Sequence, residues 1–355
     1  MSGQQHRLLS LDTDSDVLIQ NRRFSIERVQ KGEQLTYRLN DHDAGSAIEV
    51  WPHWGNTIIA FQVTIAGQQR NILYAPNEAA AIGGGVPVLW PFANRIRGGT
   101  FTWKGRLHDL RGLPAITDDG SGNPIHGMVR HRPWSVDDIG VSRNGVYIKC
   151  ALQTKHYPSI LSHFGSATIT LTYWLAGNEL RIDTKIANND ISEIPMSLAF
   201  HPWFRLPLFE HASRDEVSVM IPAKQRWLAV DELPTGELQD VSGQYELRRP
   251  TRIGCKNYDD VFTDLQFDFE NGSKRVVSQL YDPASKTLVE VGASEEFKNI
   301  VLFVPADRPR LICLEPQTSA TNAVNLQHNP KANLIVLQPK RPFMASIWVR
   351  VTEKV

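Results

Sequence analysis

The run Ala167-Thr168-Ile169-Thr170-Leu171-Thr172-Tyr173, followed after Gly177-Asn178 by Glu179-Leu180-Arg181-Ile182-Asp183-Thr184-Lys185-Ile186, decides the fold class. Apolar and polar residues alternate with the strand period, which puts the apolar side chains on one face. Gly177-Asn178 is a two-residue hairpin signal, so the two runs read as an antiparallel pair with one buried face. The same alternation recurs at Phe24-Ser25-Ile26-Glu27-Arg28-Val29 and Glu216-Val217-Ser218-Val219-Met220-Ile221. It returns at Thr287-Leu288-Val289-Glu290-Val291 and Ser346-Ile347-Trp348-Val349-Arg350-Val351. Helical periodicity is scarce, and a turn over Glu78 to Ala81 would be stopped at once by Gly83-Gly84-Gly85. With 21 prolines and 24 glycines as punctuation, the chain reads as all-β, a large antiparallel β-sandwich with negligible helix. Strand signals run from about residue 24 to 351 without a break in composition. The expected organisation is therefore a short, polar, mobile N-terminal segment, 1–23, and a single sandwich domain, 24–355.

Composition narrows the function. The chain has 355 residues, 41% of them hydrophobic, enough for a sizeable core. Its 38 basic and 38 acidic residues cancel, so nothing global favours nucleic acid or an anionic membrane as partner. A small neutral substrate fits that balance better. No segment approaches the ~20 apolar residues of a membrane span. The start, Met1-Ser2-Gly3-Gln4-Gln5-His6-Arg7, leads into polar sequence without a hydrophobic signal core, so the expectation is a soluble, cytoplasmic protein. Cys150, Cys255 and Cys313 read as unpaired thiols of a reducing compartment.

Short polar clusters interrupt this strand pattern. Asn94-Arg95-Ile96 lies in a Gly- and Pro-rich stretch with no phosphate-loop signature; Arg95 suits either a ligand oxygen or the backbone carbonyls of its own loop. His126-Gly127 opens a loop-like run through His131, and neither histidine has a third ligand at metal spacing. With no nucleotide loop either, neither a metal nor a cofactor is expected. His201 follows Ser197-Leu198-Ala199-Phe200 and precedes Pro202, so a chain break aims its ring from a strand end. Trp203 and Phe204 offer flat surface for a sugar face, or simply core. Glu315 ends the apolar run Leu311-Ile312-Cys313-Leu314, a costly place for a carboxylate unless it is ion-paired or functional. Of Asp259 and Asp260, adjacent in a strand, at most one faces a common pocket, the other reading as a solvent or turn carboxylate. An imidazole and a carboxylate facing one pocket can serve as acid and base near neutral pH.

Taken together, Asn94-Arg95-Ile96-Arg97-Gly98-Gly99-Thr100-Phe101, His126-Gly127, Phe200-His201-Pro202, Tyr258-Asp259 and Leu314-Glu315-Pro316 resemble the aldose 1-epimerase (galactose mutarotase) family in order and spacing. The resemblance implies a galactose mutarotase-like supersandwich with a sugar cleft on one sheet, acting on a monosaccharide as a monomer or homodimer. It also implies Glu315 as base on the anomeric hydroxyl and His201 as acid on the ring oxygen, with Asn94, Arg95, His126 and Asp259 holding the sugar. The run Gly83 to Pro91 is similar to the related hexose-6-phosphate mutarotases, whose clefts carry extra arginines; Arg97, Arg130 and Arg132 are the candidates for a phosphate here. Two rival readings are a non-catalytic sugar-binding sandwich, which needs no His201/Glu315 pair, and a glycoside hydrolase using Asp259 and Glu315, which leaves the histidines unexplained.

Overall fold

The computed structural model describes residues 13–76, 83–114, 116–209, 213–270 and 272–354, so the turn expected over Glu78 to Ala81 lies outside the described residues. Three large antiparallel sheets carry the chain. The first is a six-stranded meander from Thr13–Gln20 to Gln68–Asn71, each strand pairing with the next. The second has ten strands and opens with Ser135–Ser142, Gly145–Gln153, Ala167–Ala176 and Glu179–Asn188 in sequence order. The last strand of the chain, Phe343–Glu353, then inserts between Glu179–Asn188 and Thr287–Ser294 and closes this sheet over a long sequence distance. The third sheet has eight strands, in the order Leu233–Asp240, Ala223–Val230, Tyr258–Leu265, Asn299–Val304, Leu311–Gln317, Ala199–Phe200 and Val88–Leu89. Trp203–Arg205 pairs with Leu311–Gln317 beside this path.

The deciding hairpin forms as the alternation requires. Ala167, Ile169, Leu171, Tyr173 and Leu175 are buried while every intervening residue is partly exposed, and Ala176 pairs with Glu179 across the turn. Each large apolar side chain so placed contributes roughly 1.5–3 kcal/mol of transfer free energy. One contiguous buried cluster joins Ile26 and Leu39 of the meander, Leu171, Ile182 and Val349 of the ten-stranded sheet, and Phe262, Ile300 and Leu314 of the eight-stranded sheet. Cys150 and Cys313 are buried and Cys255 exposed, all three as free thiols.

The all-β expectation holds, and one boundary needs correction. The first described strand, Thr13–Gln20, falls inside the segment expected to precede the fold, and it pairs with Phe24–Lys31. It is an edge strand with a bulge near Val17, and Val17 and Leu18 remain exposed, so no buried face wrote an alternation into the sequence. A seven-residue α-helix, Pro158–Phe164, also occurs, with Pro158 in its first turn and Gly165 after its end at φ 72. It buries only Ile160 and Phe164, one apolar pair a turn apart, too few for a periodic signal.

Leu171→Ala, at a site with no solvent exposure, should cost roughly 2–5 kcal/mol in urea unfolding. Thr172→Ala, on the opposite face of the same strand, should change stability by less than about 1 kcal/mol.

Candidate active site

Leu311–Gln317 is buried along its whole length. Ile312 and Leu314 enter the main core, while Cys313 joins Trp203 in a separate cluster on the other face. Register then lines up side chains across the sheet: Trp203 opposite Cys313, Cys313 opposite Phe303, Phe303 opposite Asp259. One step along, Glu315 lies opposite Val301. Strand alternation puts both rows on one face, where Asp259, Val301, Phe303, Trp203 and Glu315 line a cleft of about 740 Å³, its open mouth included.

At its floor, His201 Nε2 lies 3.3 Å from Glu315 Oε1, with the two residues 5% and 2% exposed. The Trp203 ring stacks on the His201 imidazole, 4.8 Å between centroids and 5° from parallel. The backbone N–H groups of His201 and Trp203 donate to Pro87 and Gly85 carbonyls at 3.0 and 2.9 Å, which fixes the segment carrying the ring. Gly85 is required there: its φ is 69, and a Cβ would sit 2.2 Å from the Ile58 carbonyl oxygen. Burial pushes the Glu315 carboxyl well above its ordinary range, and the Asp259 charge adds to this. Burial, with help from the Arg130 and Arg308 cations, pushes His201 down to about 3. Both shifts favour a neutral pair, with the shared proton resting on the carboxyl.

The wall opposite is built by two loops. The His126 N–H donates to the Asn94 carbonyl at 2.9 Å, and Arg95 bridges Ile125. Asn94 and His126 are both left-handed, at φ 55 and 66, a conformation that Asn and His adopt more readily than most residues. Next to His126, Gly127 passes so close to Trp90 that a Cβ would meet its carbonyl oxygen at 2.3 Å. The His126 ring meets His201 edge-on with centroids 5.2 Å apart. Burial and the neighbouring His201, Arg130 and Arg95 keep His126 well below its ordinary pKa, hence neutral and able to donate and accept at once.

Arg95 is clamped by side chains rather than backbone carbonyls. Its Nη1 donates to Asn94 Oδ1 at 2.9 Å and its Nε to Asp119 Oδ2 at 3.0 Å; Glu232 contacts its Nη2, and Asp259 lies 3.9 Å away. Asp119 is held in turn by N–H groups of Ser121 and Asn123 and by the Asn123 amide. Burial opposes its ionisation, yet these hydrogen bonds keep its carboxyl below the ordinary value.

The structure thus brings Asn94, Arg95, His126, His201, Asp259 and Glu315 to one cleft, and Arg130 with them. Arg130 is 7% exposed, its Nε and Nη2 have no hydrogen-bond partner among the described residues, and burial lowers it to about 10. Arg97 and Arg132 are elsewhere. Arg97 is exposed and donates to the Pro234 carbonyl; Arg132 covers the Tyr157 ring at 4.8 Å and donates to the Pro114 carbonyl. Asp260 does not line the cleft and is no free solvent carboxylate, for it accepts from Arg226 Nη1 at 3.1 Å. Asp119, Glu232 and Arg308 join the site without having been singled out. Only Asp119, before Gly120-Ser121, carries a local sign, the Asx-turn residue pattern.

His201, Glu315 and Cys313 offer one donor atom each within 4.8 Å of one another, a grouping that sequence spacing hides because His201 comes from a separate strand end. Burial raises both the Cys313 thiol and the Glu315 carboxyl, so a cation would have to displace two protons. The trio is better suited to carrying protons than to holding a metal.

A family model described as aldose 1-epimerase matches residues 35–350. The chain is 22% identical to the uncharacterised Escherichia coli protein YphB over 275 residues, 74% of this chain and 82% of that protein. Among solved structures it is similar to a galactose mutarotase-like protein from Clostridium acetobutylicum, with TM-score 0.83 and 21% identity over 94% of this chain and 100% of the other. It is also similar to a GalM/aldose epimerase homologue from C. elegans, with TM-score 0.69 and 16% identity over 88% and 97% of the two chains. At these identities the structural likeness speaks for the fold.

Asp259 supplies a pH test. Burial raises its carboxyl from 3.8 to about 6, with Arg95 opposing and Glu232 and Asp260 adding. The folded chain therefore binds this proton more tightly than the unfolded one, so the contribution is fully present below about pH 3.8 and lost as pH rises through about 6. Wild-type stability relative to Asp259→Asn should fall across that interval and level off above it in urea titrations. A difference that rises with pH would contradict the assignment.

Proposed function

We propose, for a chain that belongs to the aldose 1-epimerase family, that it interconverts the α and β anomers of an aldohexose by proton transfer at His201 and Glu315. The observation that carries this reading is the buried pair itself: two different proton carriers 3.3 Å apart, opening on a cleft of sugar size. Ring opening needs a base at the anomeric hydroxyl and an acid at the ring oxygen. With Glu315 ionised and His201 protonated, the carboxylate takes the first proton while the imidazolium gives up the second. The aldehyde then rotates about C1–C2 and closes on its other face with the roles reversed.

The pair ends the opening step as protonated Glu315 and neutral His201, the state that burial favours. The ionised pair must therefore be reached before the ring opens, against the preference that burial imposes, and the opening step returns the site to its favoured neutral state. Asn94, Arg95, His126 and Asp259 are assigned to the hydroxyls. Arg95, fixed by three carboxylates and an amide, presents a rigid donor surface, and neutral His126 adapts to either hydrogen-bond direction.

A second reading, a hexose 6-phosphate, is favoured by one observation: Arg130, with two donor nitrogens unpartnered among the described residues, shares the cleft with Arg308. Comparing kcat/KM for glucose and glucose 6-phosphate in wild type and Arg130→Ala separates the two.

Polarimetry or NMR on freshly dissolved α-glucose, beside a disaccharide control, tests the activity and distinguishes it from glycoside hydrolysis and from binding alone. Glu315→Gln and His201→Asn should each lower kcat by about 10²-fold or more while sugar binding survives. The double variant should lose much less than the product of the two losses, because both groups serve one step. Changes at Arg95 or Asp259 should raise KM as well. Near-normal turnover by a folded Glu315→Gln protein would remove the mechanism.

A further inference from the structure

A second and larger cavity, about 1180 Å³ with its open side, adjoins the cleft, and Arg308 lines both. Tyr74, Arg205, Leu206, Phe209 and Arg310 complete the part that matters here. Its arginines belong to ordered backbone. Arg205 pairs in register with Leu311 on the Trp203–Arg205 strand, and the Leu206 N–H donates to the Arg310 carbonyl at 2.8 Å. Trp203 and Arg205 are two residues apart on one strand and so face the same way. The surface beneath His201 therefore continues along the strand from Trp203 to Arg205, whose backbones are about 7 Å apart.

The charge of this continuation is one-sided. No carboxylate lines it among the described residues. Arg205 and Arg310 are exposed and have no ion-pair partner among the described residues, where the one carboxylate within 4 Å of Arg308 is the exposed Asp307 at 3.7 Å. Tyr74 lies 5.5 Å from the Arg205 guanidinium, and Trp203 5.0 Å from that of Arg308, so two of the three cations are steered by aromatic faces. In a chain whose net charge is zero, three arginines around a concave, aromatic-walled space adjoining the sugar cleft call for an anion.

We propose that this cavity is a second subsite, which receives an oxyanion borne by a substituent of the reducing sugar whose anomeric carbon lies at His201 and Glu315. The placement of the reducing end rests on the epimerase reading above. Guanidinium forks bind a carboxylate or a phosphate in the same two-pronged way, so the oxyanion comes either from a uronic acid unit linked to the reducing sugar or from a phosphate ester on it.

The test compares wild type, Arg205→Ala, Arg310→Ala and the double variant, with Arg143→Ala, in the Ser142–Gly145 turn of the ten-stranded sheet, as a charge-matched control. Glucose, glucose 6-phosphate and a disaccharide of glucuronic acid joined to O4 of a reducing glucose are titrated calorimetrically and followed by NMR for anomer exchange. The double variant should lose about tenfold or more in affinity and kcat/KM for at least one anionic sugar, with glucose unchanged and Arg143→Ala without effect. Loss confined to the disaccharide identifies the carboxylate as the group held, and loss confined to glucose 6-phosphate identifies the phosphate. Unchanged affinity for both anionic sugars, or an equal loss in Arg143→Ala, overturns the subsite. Should wild type exchange no anomers while the calorimetric loss persists, the epimerase reading falls and the subsite stands; active enzyme with no loss gives the converse.

Discussion

A buried carboxyl group and a buried imidazole share the floor of the cleft, and the strand that carries the carboxyl is buried on both faces. That constraint governs the rest. An isolated charge at Glu315 would cost several kcal/mol in such surroundings, and so would one at His201. Placed 3.3 Å apart, they can hold a single proton between them and leave no net charge to bury. The eight-stranded sheet places the carboxyl by register, for the row containing Trp203, Cys313, Phe303 and Asp259 fixes where the next row, with Glu315, must emerge, while backbone hydrogen bonds to Pro87 and Gly85 hold the segment that carries the imidazole.

The same burial explains which parts of the fold are legible in the sequence. Strands with one solvated face, such as Ala167–Ala176, wrote their pattern plainly, and Leu311–Gln317 wrote a continuous apolar run in which Glu315 stood out. The edge strand Thr13–Gln20 wrote nothing, having no buried face of its own. Loop residues were harder. Arg97, Arg130 and Arg132 look alike in sequence, yet only Arg130 reaches the cleft, because loop side chains have no period from which a direction follows. Glu232 arrives on the turn between Ala223–Val230 and Leu233–Asp240, where Asp231 and Glu232 are both left-handed without the usual Asn-Gly signature. Arg308 precedes the Glu315 strand in an exposed Pro-flanked turn, and only the folded path of the chain returns it to the Trp203 ring.

The cleft is also electrically polarised. Asp119, Glu232 and Asp259 gather around Arg95, while Arg130 and Arg308 are the cations that act on His201. Asp259 raises Glu315, and the two arginines lower His201, so both effects push the shared proton the same way, onto the carboxyl. Opening the sugar ring requires the opposite starting arrangement, a protonated imidazole beside a carboxylate. An oxyanion set against Arg308 would cancel part of the positive field at His201 and make that arrangement easier to reach. A charged substituent on the sugar would then do more than anchor it. By neutralising one of the cations that hold the proton off His201, it would raise the fraction of bound complexes in which the acid is armed, and a neutral hexose in the same cleft would lack that help.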